Sequence, residues 1–342
     1  MAAPAVRAAA LVVAAMAAWP AAEWVVALQA GPAVEWAAAP RAATEERAAR
    51  NSDHGATMGR TVSGVGVSLR REHYDDALAT KRRVDWIEIQ PENFMGFGGL
   101  PRAVLERAAS KWPIVPHGVG LSLGGPDPLS RPYLAALRAM VGQLDCAYFS
   151  EHASFSSARG VSFHGLYPLP FTEEAAAHLG RRAAACADEL GIPVLLENIT
   201  YYGQMPGSAI SEGAFLSEAL EISGAGLLLD LNNVYVNAMN LGVDLDVALA
   251  SLPLERTRQI HLAGHTRERG RLIDDHGGRV PEVVWDLYRK AVRRLGPIPT
   301  IIEWENKLES FDALLDEADK ARAIQRELAP IASMPTRAAL AW

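Results

Sequence analysis

Histidines and carboxylates in this chain stand at the ends of short apolar runs, and their types and places invite metal chemistry. "PIVPHGVGLSL" (113–123) carries His117, "CAYFSEHASFS" (146–156) carries Glu151 and His152, and "PVLLENIT" (193–200) carries Glu197 and Asn198. "GLLLDLNNVYVNA" (226–238) brings Asp230, Asn232 and Asn233, "RQIHLAGHT" (258–266) brings His261 and His265, and "TIIEWEN" (300–306) brings Glu303 and Glu305. Glu88 and Glu92 lie in "DWIEIQPEN" (85–93), and Asp274 and His276 in the loop "LIDDHGG". Imidazole nitrogen and carboxylate oxygen are donors that iron, zinc and manganese accept, and several such groups at one place can hold more than one ion. Without a cation, so many carboxylates would repel one another and raise each other's pKa.

Taken singly, each residue has a plainer reading. A histidine within a strand, such as His117, is commonly a hydrogen-bonded core residue, and Glu197 could be a strand-end carboxylate reaching solvent or a helix start. The spacing in "HLAGH" recurs by chance, and Gly264 marks a strand or turn rather than a zinc-protease helix. "DDHGG" suits an acidic turn with Gly277 at positive φ. His54 and His178 read as solvated. Cys146 and Cys186 form no C-x-x-C pattern and read as ordinary buried residues. Register favours a shared site, because the polar residues recur at the same end of six consecutive runs. Six of the nine histidines belong to the set, with His164 joining His117, His152, His261, His265 and His276.

The runs alternate with helical patterns. Together with 62–69 they make eight candidate strands, and amphipathic stretches follow at 74–81, 101–110, 131–144, 172–191, 211–223, 244–252, 281–295 and 310–328. Thr172 and Ser211, each followed by acidic residues, are good helix starts. "PVLLENIT" and "GLLLDL" are apolar without alternation, as strands buried on both faces are. Eight β-then-α units predict an α/β (β/α)8 TIM barrel, with a doubly wound open sheet as the alternative. In such a barrel the strand C-termini converge on one mouth, where these polar residues would meet. Period two puts Glu303 and Glu305 on one face, with Glu305 a layer further out and Trp304 toward the helices.

The 342 residues are 49% hydrophobic and 21% charged, which suits a globular chain with a sizeable core. A formal charge of −7 gives no basic surface for nucleic acid. Residues 1–57 are a different text, rich in Ala and without a ~20-residue apolar span. They read as a dispensable extension or mis-assigned start, or as an export signal centred on "LVVAAMAAW". The barrel is expected over 58–330 and a tail over 331–342.

In this order, "HGVGLSLGG", "SEHASFS", "LYPLPFTEEA", "LLENITYY", "LLDLNNVYVNA", "IHLAGHT", "LIDDHGGRVPEVVWDLY" and "IIEWEN" resemble the multinuclear non-haem iron-dependent oxidase family, which includes the methanobactin-biosynthesis oxidase. The resemblance covers residues 62 to about 325. It implies a bacterial, cytoplasmic, xylose isomerase-like TIM barrel in natural-product biosynthesis, holding two or three ferrous or ferric ions with O2 as co-substrate. The implied substrate is a cysteine-containing ribosomal precursor peptide, presented by a small leader-binding partner protein. No nucleic acid or membrane is implied. Carried over residue by residue, the implied ligands are His117, His152, Glu197, Asp230, Asn233, His261, Asp274, His276 and Glu303. Glu197 would bridge, and Glu197, Asp230 and His265 would stand nearest the chemistry. The chain departs from the family at Gly165, where an acidic residue is usual, and at Glu305, where Asp is frequent. The residues alone leave two rivals: a divalent-metal hydrolase or isomerase of endonuclease IV-like or xylose isomerase-like type, and a non-catalytic metal store or sensor.

Overall fold

In the computed structural model, which describes residues 61–96 and 98–328, eight strands pair in parallel and close on themselves. They are β1 (Val65–Ser68), β2 (Ile87–Ile89), β3 (Ile114–Gly118), β4 (Phe149–His152), β5 (Val194–Glu197), β6 (Gly226–Asp230), β7 (Thr257–Ala263) and β8 (Thr300–Glu303). Each pairs with its successor, and β8 returns to β1 with Thr300 opposite Val65. That closure makes the fold a TIM barrel and leaves no edge for an open doubly wound sheet. The Ala-rich head, the tail at 331–342 and His54 lie outside the described residues.

Side-chain period two sets the interior in layers. A small apolar cluster of Trp86, Val115, Tyr148, Leu195, Leu228 and Ile301 fills the lower barrel. Two residues further along their strands stand Glu88, His117, Ser150, Glu197, Asp230 and Glu303, all buried. An apolar floor therefore supports a polar layer at the C-terminal mouth. Gly66 of β1 makes room for the floor, since a Cβ there would meet the Trp86 ring at 2.5 Å. A second, larger cluster lies between the strands and the helices, and Trp304 belongs to it, with its indole Nε1 donating to Asn306 O at 3.0 Å.

Helix starts follow the sequence. Thr172 Oγ1 accepts from Ala175 N at 3.1 Å and opens Glu173–Leu190, and Ser211 Oγ does the same for Glu212–Ser223. The run read as a strand over 226–238 is corrected: β6 stops at Asp230, and Leu231–Leu241 is helical. Asp230 is the N-cap, its Oδ1 accepting from Asn233 N at 2.6 Å, and that cap overrides the strand propensity of Val234, Tyr235 and Val236. Beyond β4 and β7 the chain forms two antiparallel hairpins, Ser154–Ala158 with Val161–Pro168 and Thr266–Glu268 with Arg271–Ile273, where the sequence suggested strand ends. His178 is half-buried rather than solvated, with Nε2 2.9 Å from Gly125 O. Both cysteines are buried, and burial pushes the Cys146 thiol up to about 12.

The opposite end of the barrel is locked by Arg322. Its guanidinium meets Asp85 Oδ2 at 3.1 Å and donates to Val65 O at 3.1 Å and Arg83 O at 2.9 Å, with the side chain 7% exposed. Without Arg322 the two carbonyls would lose their donor, while Asp85 would keep Arg83 Nε at 2.7 Å and Val65 N at 2.8 Å. We expect Arg322→Ala to cost about 1–3 kcal/mol, read as a lowered urea midpoint.

Candidate metal centre at the barrel mouth

Glu197, at the end of β5, is the hub of the polar layer and is 1% exposed. His117 Nε2 lies 3.1 Å and His152 Nε2 3.2 Å from its Oε2. On its other oxygen, Oε1, His261 Nδ1 lies at 3.4 Å. His261 Nδ1 is also 2.9 Å from Glu303 Oε2, and Asp230 belongs to the same buried cluster. Thus two donor groups share one carboxylate: His117 and His152 on one side, and His261, Asp230 and Glu303 on the other.

Each histidine has its second nitrogen already engaged. His117 Nδ1 is 3.0 Å from Ser150 Oγ, His152 Nδ1 is 3.0 Å from Gly118 O, and His261 Nε2 is 3.2 Å from Glu88 Oε2. Such outer bonds orient a ring so that, once it is deprotonated, the inner nitrogen can offer its lone pair to an ion. Several inward atoms are buried without a hydrogen bond: Glu197 Oε2, Asp230 Oδ2, His261 Nδ1 and both nitrogens of His276. Ligand atoms of Glu197, Asp230, His261 and Glu303 all lie within 4.8 Å of one another, close enough to share one ion. A cation among them would satisfy atoms that are otherwise costly to bury. Oxygen and imidazole donors in these numbers fit iron, manganese or zinc.

A third group sits higher. His276 Nε2 is 2.9 Å from Asp274 Oδ1, and its Nδ1 is 3.5 Å from Glu303 Oε2. The turn expectation is corrected here, because His276 itself adopts φ 45° and Gly277 does not need positive φ. A non-glycine residue held there is strained and marks a position the surroundings impose. The "EWEN" segment does the holding: Glu305 N donates to His276 O at 3.0 Å, and Asn306 Nδ2 donates to Asp275 O at 2.6 Å. Glu305 is outermost, 3.9 Å from His276 Nδ1 and paired with Arg70, whose Nη2 also donates to Glu303 Oε1 at 3.2 Å.

The remaining residues stand behind these. Asn233 lines the cavity with its amide engaged, Oδ1 accepting from Thr200 at 2.6 Å and Nδ2 donating to Asn198 O at 3.0 Å. His265 is half-buried against Tyr235 and joins the mouth through Asn232, whose Oδ1 is 2.7 Å away and whose Nδ2 donates to Asp274 Oδ1 at 2.8 Å. Gly264 lets the backbone of Gly278 pack close beside it, since a Cβ there would meet Gly278 O at 2.5 Å. Glu92 and Glu151 pin loops instead, taking N–H groups of Val119 and Gly120 and of Leu121 respectively. Arg70, Ser150 and Gln259 were not singled out by residue type. Ser150 and Gln259 lie two residues before His152 and His261, so strand period alone would have found them. The mouth opens into a cavity of about 280 Å³.

Without an ion, the rings and carboxylates set one another's charge. Burial opposes charge on His152, yet Glu197 and Glu151 outweigh it and push the ring up to about 9. His261 and His276 are raised in the same way, against burial, by Glu88 with Glu197 and by Asp274 with Glu303 respectively. Burial also opposes ionisation of Glu197 and Glu303, but the surrounding imidazoles hold both well below the usual range. Asp230 is raised by burial and by Glu197. A raised histidine stabilises the fold fully below its ordinary 6.5 and loses that contribution as pH rises through the folded value. The lowered carboxylates contribute above 4.5 and lose it only in acid. The metal-free protein is therefore expected to lose stability between about pH 6.5 and 9, measured by urea midpoints, while affinity for a divalent ion rises over the same interval as the rings deprotonate. A flat stability profile would contradict the coupling.

Comparison with known proteins adds a family. Residues 64–326 match the family described as "RiPP precursor modification enzyme MbnB/TglH/ChrH". Among curated proteins, a UPF0276 protein of Anaeromyxobacter sp. strain Fw109-5 is 44% identical over 266 residues, covering 78% of this chain and 94% of its own. A UPF0276 protein of Chromobacterium violaceum is 42% identical, covering 77% and 96%. Among solved structures, D-psicose 3-epimerase of Clostridium cellulolyticum H10 aligns with a TM-score of 0.51 at 12% identity, over 78% of this chain and all of its own. A putative xylose isomerase of Rhodospirillum rubrum gives 0.51 at 14%, with the same coverage. Likeness at that identity is one of fold, the xylose isomerase-like barrel.

Proposed function

The chain belongs to the RiPP precursor modification enzyme family MbnB/TglH/ChrH, and from that premise we propose that it is a multinuclear non-haem iron-dependent oxidase that uses O2 to modify cysteine residues of a ribosomally made precursor peptide. The observation that carries the reading is the clustering of buried ligand atoms on both sides of Glu197, several of them without a hydrogen bond. In this reading His117, His152 and Glu197 hold one ion, and Glu197, Asp230, His261 and Glu303 hold a second. Asp274 and His276 are ligands for a third, with Asn233 in support. Bound iron would supply O2 activation and a cation for the cysteine thiolate, a form that a free thiol scarcely takes at neutral pH.

The protein's own residues supply position and shelter. Ser150, Gly118 O and Glu88 hold the three imidazoles in the orientation ligation needs. Arg70 steadies Glu303 by donating to Oε1, which leaves Oε2 turned to His261. The cavity takes a side chain and its flanking backbone rather than a folded domain, so the peptide enters extended, its leader held by a separate small protein. Asp274 N donates to the Tyr202 hydroxyl at 3.1 Å, which leaves the phenol proton free to face substrate at the cavity wall.

Cysteine oxidation is tested by incubating iron-loaded protein with a cysteine-containing precursor in air and under argon. A peptide mass change that requires air, and disappears when cysteine is replaced by serine, is expected. An identical change under argon, or on the serine peptide, would overturn the reading.

A further inference from the structure

A buried polar chain runs beneath His261. The Tyr148 hydroxyl donates to Gln259 Oε1 at 2.7 Å, which turns the amide so that its Nε2 donates to Glu88 Oε2 at 2.6 Å. The same Glu88 oxygen lies 3.2 Å from His261 Nε2. Glu88 comes from β2, Gln259 and His261 from β7, and Tyr148 precedes β4, so the chain crosses the barrel interior between floor and mouth. Glu88 is 2% exposed, and Gln259 and His261 not at all.

Once neutral, as ligation to an ion requires, His261 can carry its remaining ring proton in two ways. With the proton on Nδ1, the Gln259 amide, 2.8 Å away, donates to Nε2, and the inward nitrogen is closed to an ion. With the proton on Nε2, ring and amide both donate to Glu88, and Nδ1 turns its lone pair to Glu197 and Glu303. A buried anion behind the ring favours the second arrangement, as carboxylates behind metal-bound imidazoles generally do. By contrast, His117 is backed by the neutral Ser150 hydroxyl.

We propose that Glu88, clamped by Gln259 and Tyr148, is a positioning residue of the metal centre: it accepts the Nε2 proton of His261 and so opens Nδ1 to the ion held with Glu197, Asp230 and Glu303. This rests on reading the mouth as a metal centre. The proposal concerns one ion position and leaves the His117–His152 position alone.

The test is anaerobic titration of metal-free protein with Co2+, on wild type, Glu88→Gln and Glu88→Leu, with circular dichroism to establish folding. Wild type should take at least two ions. In Glu88→Leu one affinity should fall by roughly 10–100-fold with the other unchanged, and Glu88→Gln, which keeps an acceptor oxygen, should recover part of the loss. Paramagnetic NMR of the Co2+ protein should show a slowly exchanging His261 ring N–H that Glu88→Leu loses. Wild type that takes no Co2+ would sink the metal reading together with the proposal. Wild type that takes two ions, beside folded variants with both affinities and the N–H signal unchanged, would overturn the role of Glu88 alone. If Glu88→Leu fails to fold, Glu88→Gln decides by the same two readouts, a smaller loss at one position being expected and identity with wild type overturning the proposal.

Discussion

Glu197→Ala should leave the mouth nearly empty of metal. Glu197 faces His117 and His152 through one oxygen and His261 through the other. Losing an outer-sphere partner typically costs 10–100-fold in metal affinity, so losing a ligand shared by two ions should cost each more than about 100-fold. Turnover should fall by at least the same factor. His276→Ala, which removes a donor only from the upper group, should retain the lower pair. Metal analysis of both variants after anaerobic purification decides: full metal content in Glu197→Ala would refute the bridging role.

Stripping the ions should lower the melting temperature by about 10 °C. Ligands that bind only the folded state stabilise it by about 2.7 kcal/mol each at a hundred times the dissociation constant, so two ions give about 5 kcal/mol. In a domain of this size each kcal/mol moves the midpoint by about 2 °C. The metal-free polar layer is balanced by imidazolium charge on His152, His261 and His276, and the loss should therefore be larger in mildly alkaline than in mildly acidic buffer. Calorimetry before and after chelation, at two pH values, measures both effects. An unchanged midpoint would mean that the clustered donors take no ion.

The barrel was legible because its strands are buried on both faces and read as plain apolar runs, from "VSGVGVSL" to "TIIEWEN". The second strand of the hairpin, Val161–Pro168, was less so, since its exposed and half-exposed residues carry no period that a strand would show. Leu231–Leu241 was misread because three β-favouring residues follow one another and the decisive signal is a single cap, Asp230. At the mouth, charge and ring types drew the eye to His117, His152, Glu197, Asp230, His261 and Glu303, which the fold does bring together. Neutral Gln259, Ser150 and Tyr148 escaped notice, though each shares the inward face of its strand. The resemblance put His265 among the residues nearest the chemistry, whereas its Nδ1 lies 2.7 Å from Asn232 Oδ1, and Asn232 links it to Asp274.

The account turns on ions flanking Glu197. Crystals of anaerobically purified protein, with diffraction recorded on both sides of the iron absorption edge, would locate them directly. The prediction is at least two iron peaks, one among His117, His152 and Glu197 and one among Glu197, Asp230, His261 and Glu303. An anomalous map with no iron at either position, in protein that still modifies the peptide, would contradict it.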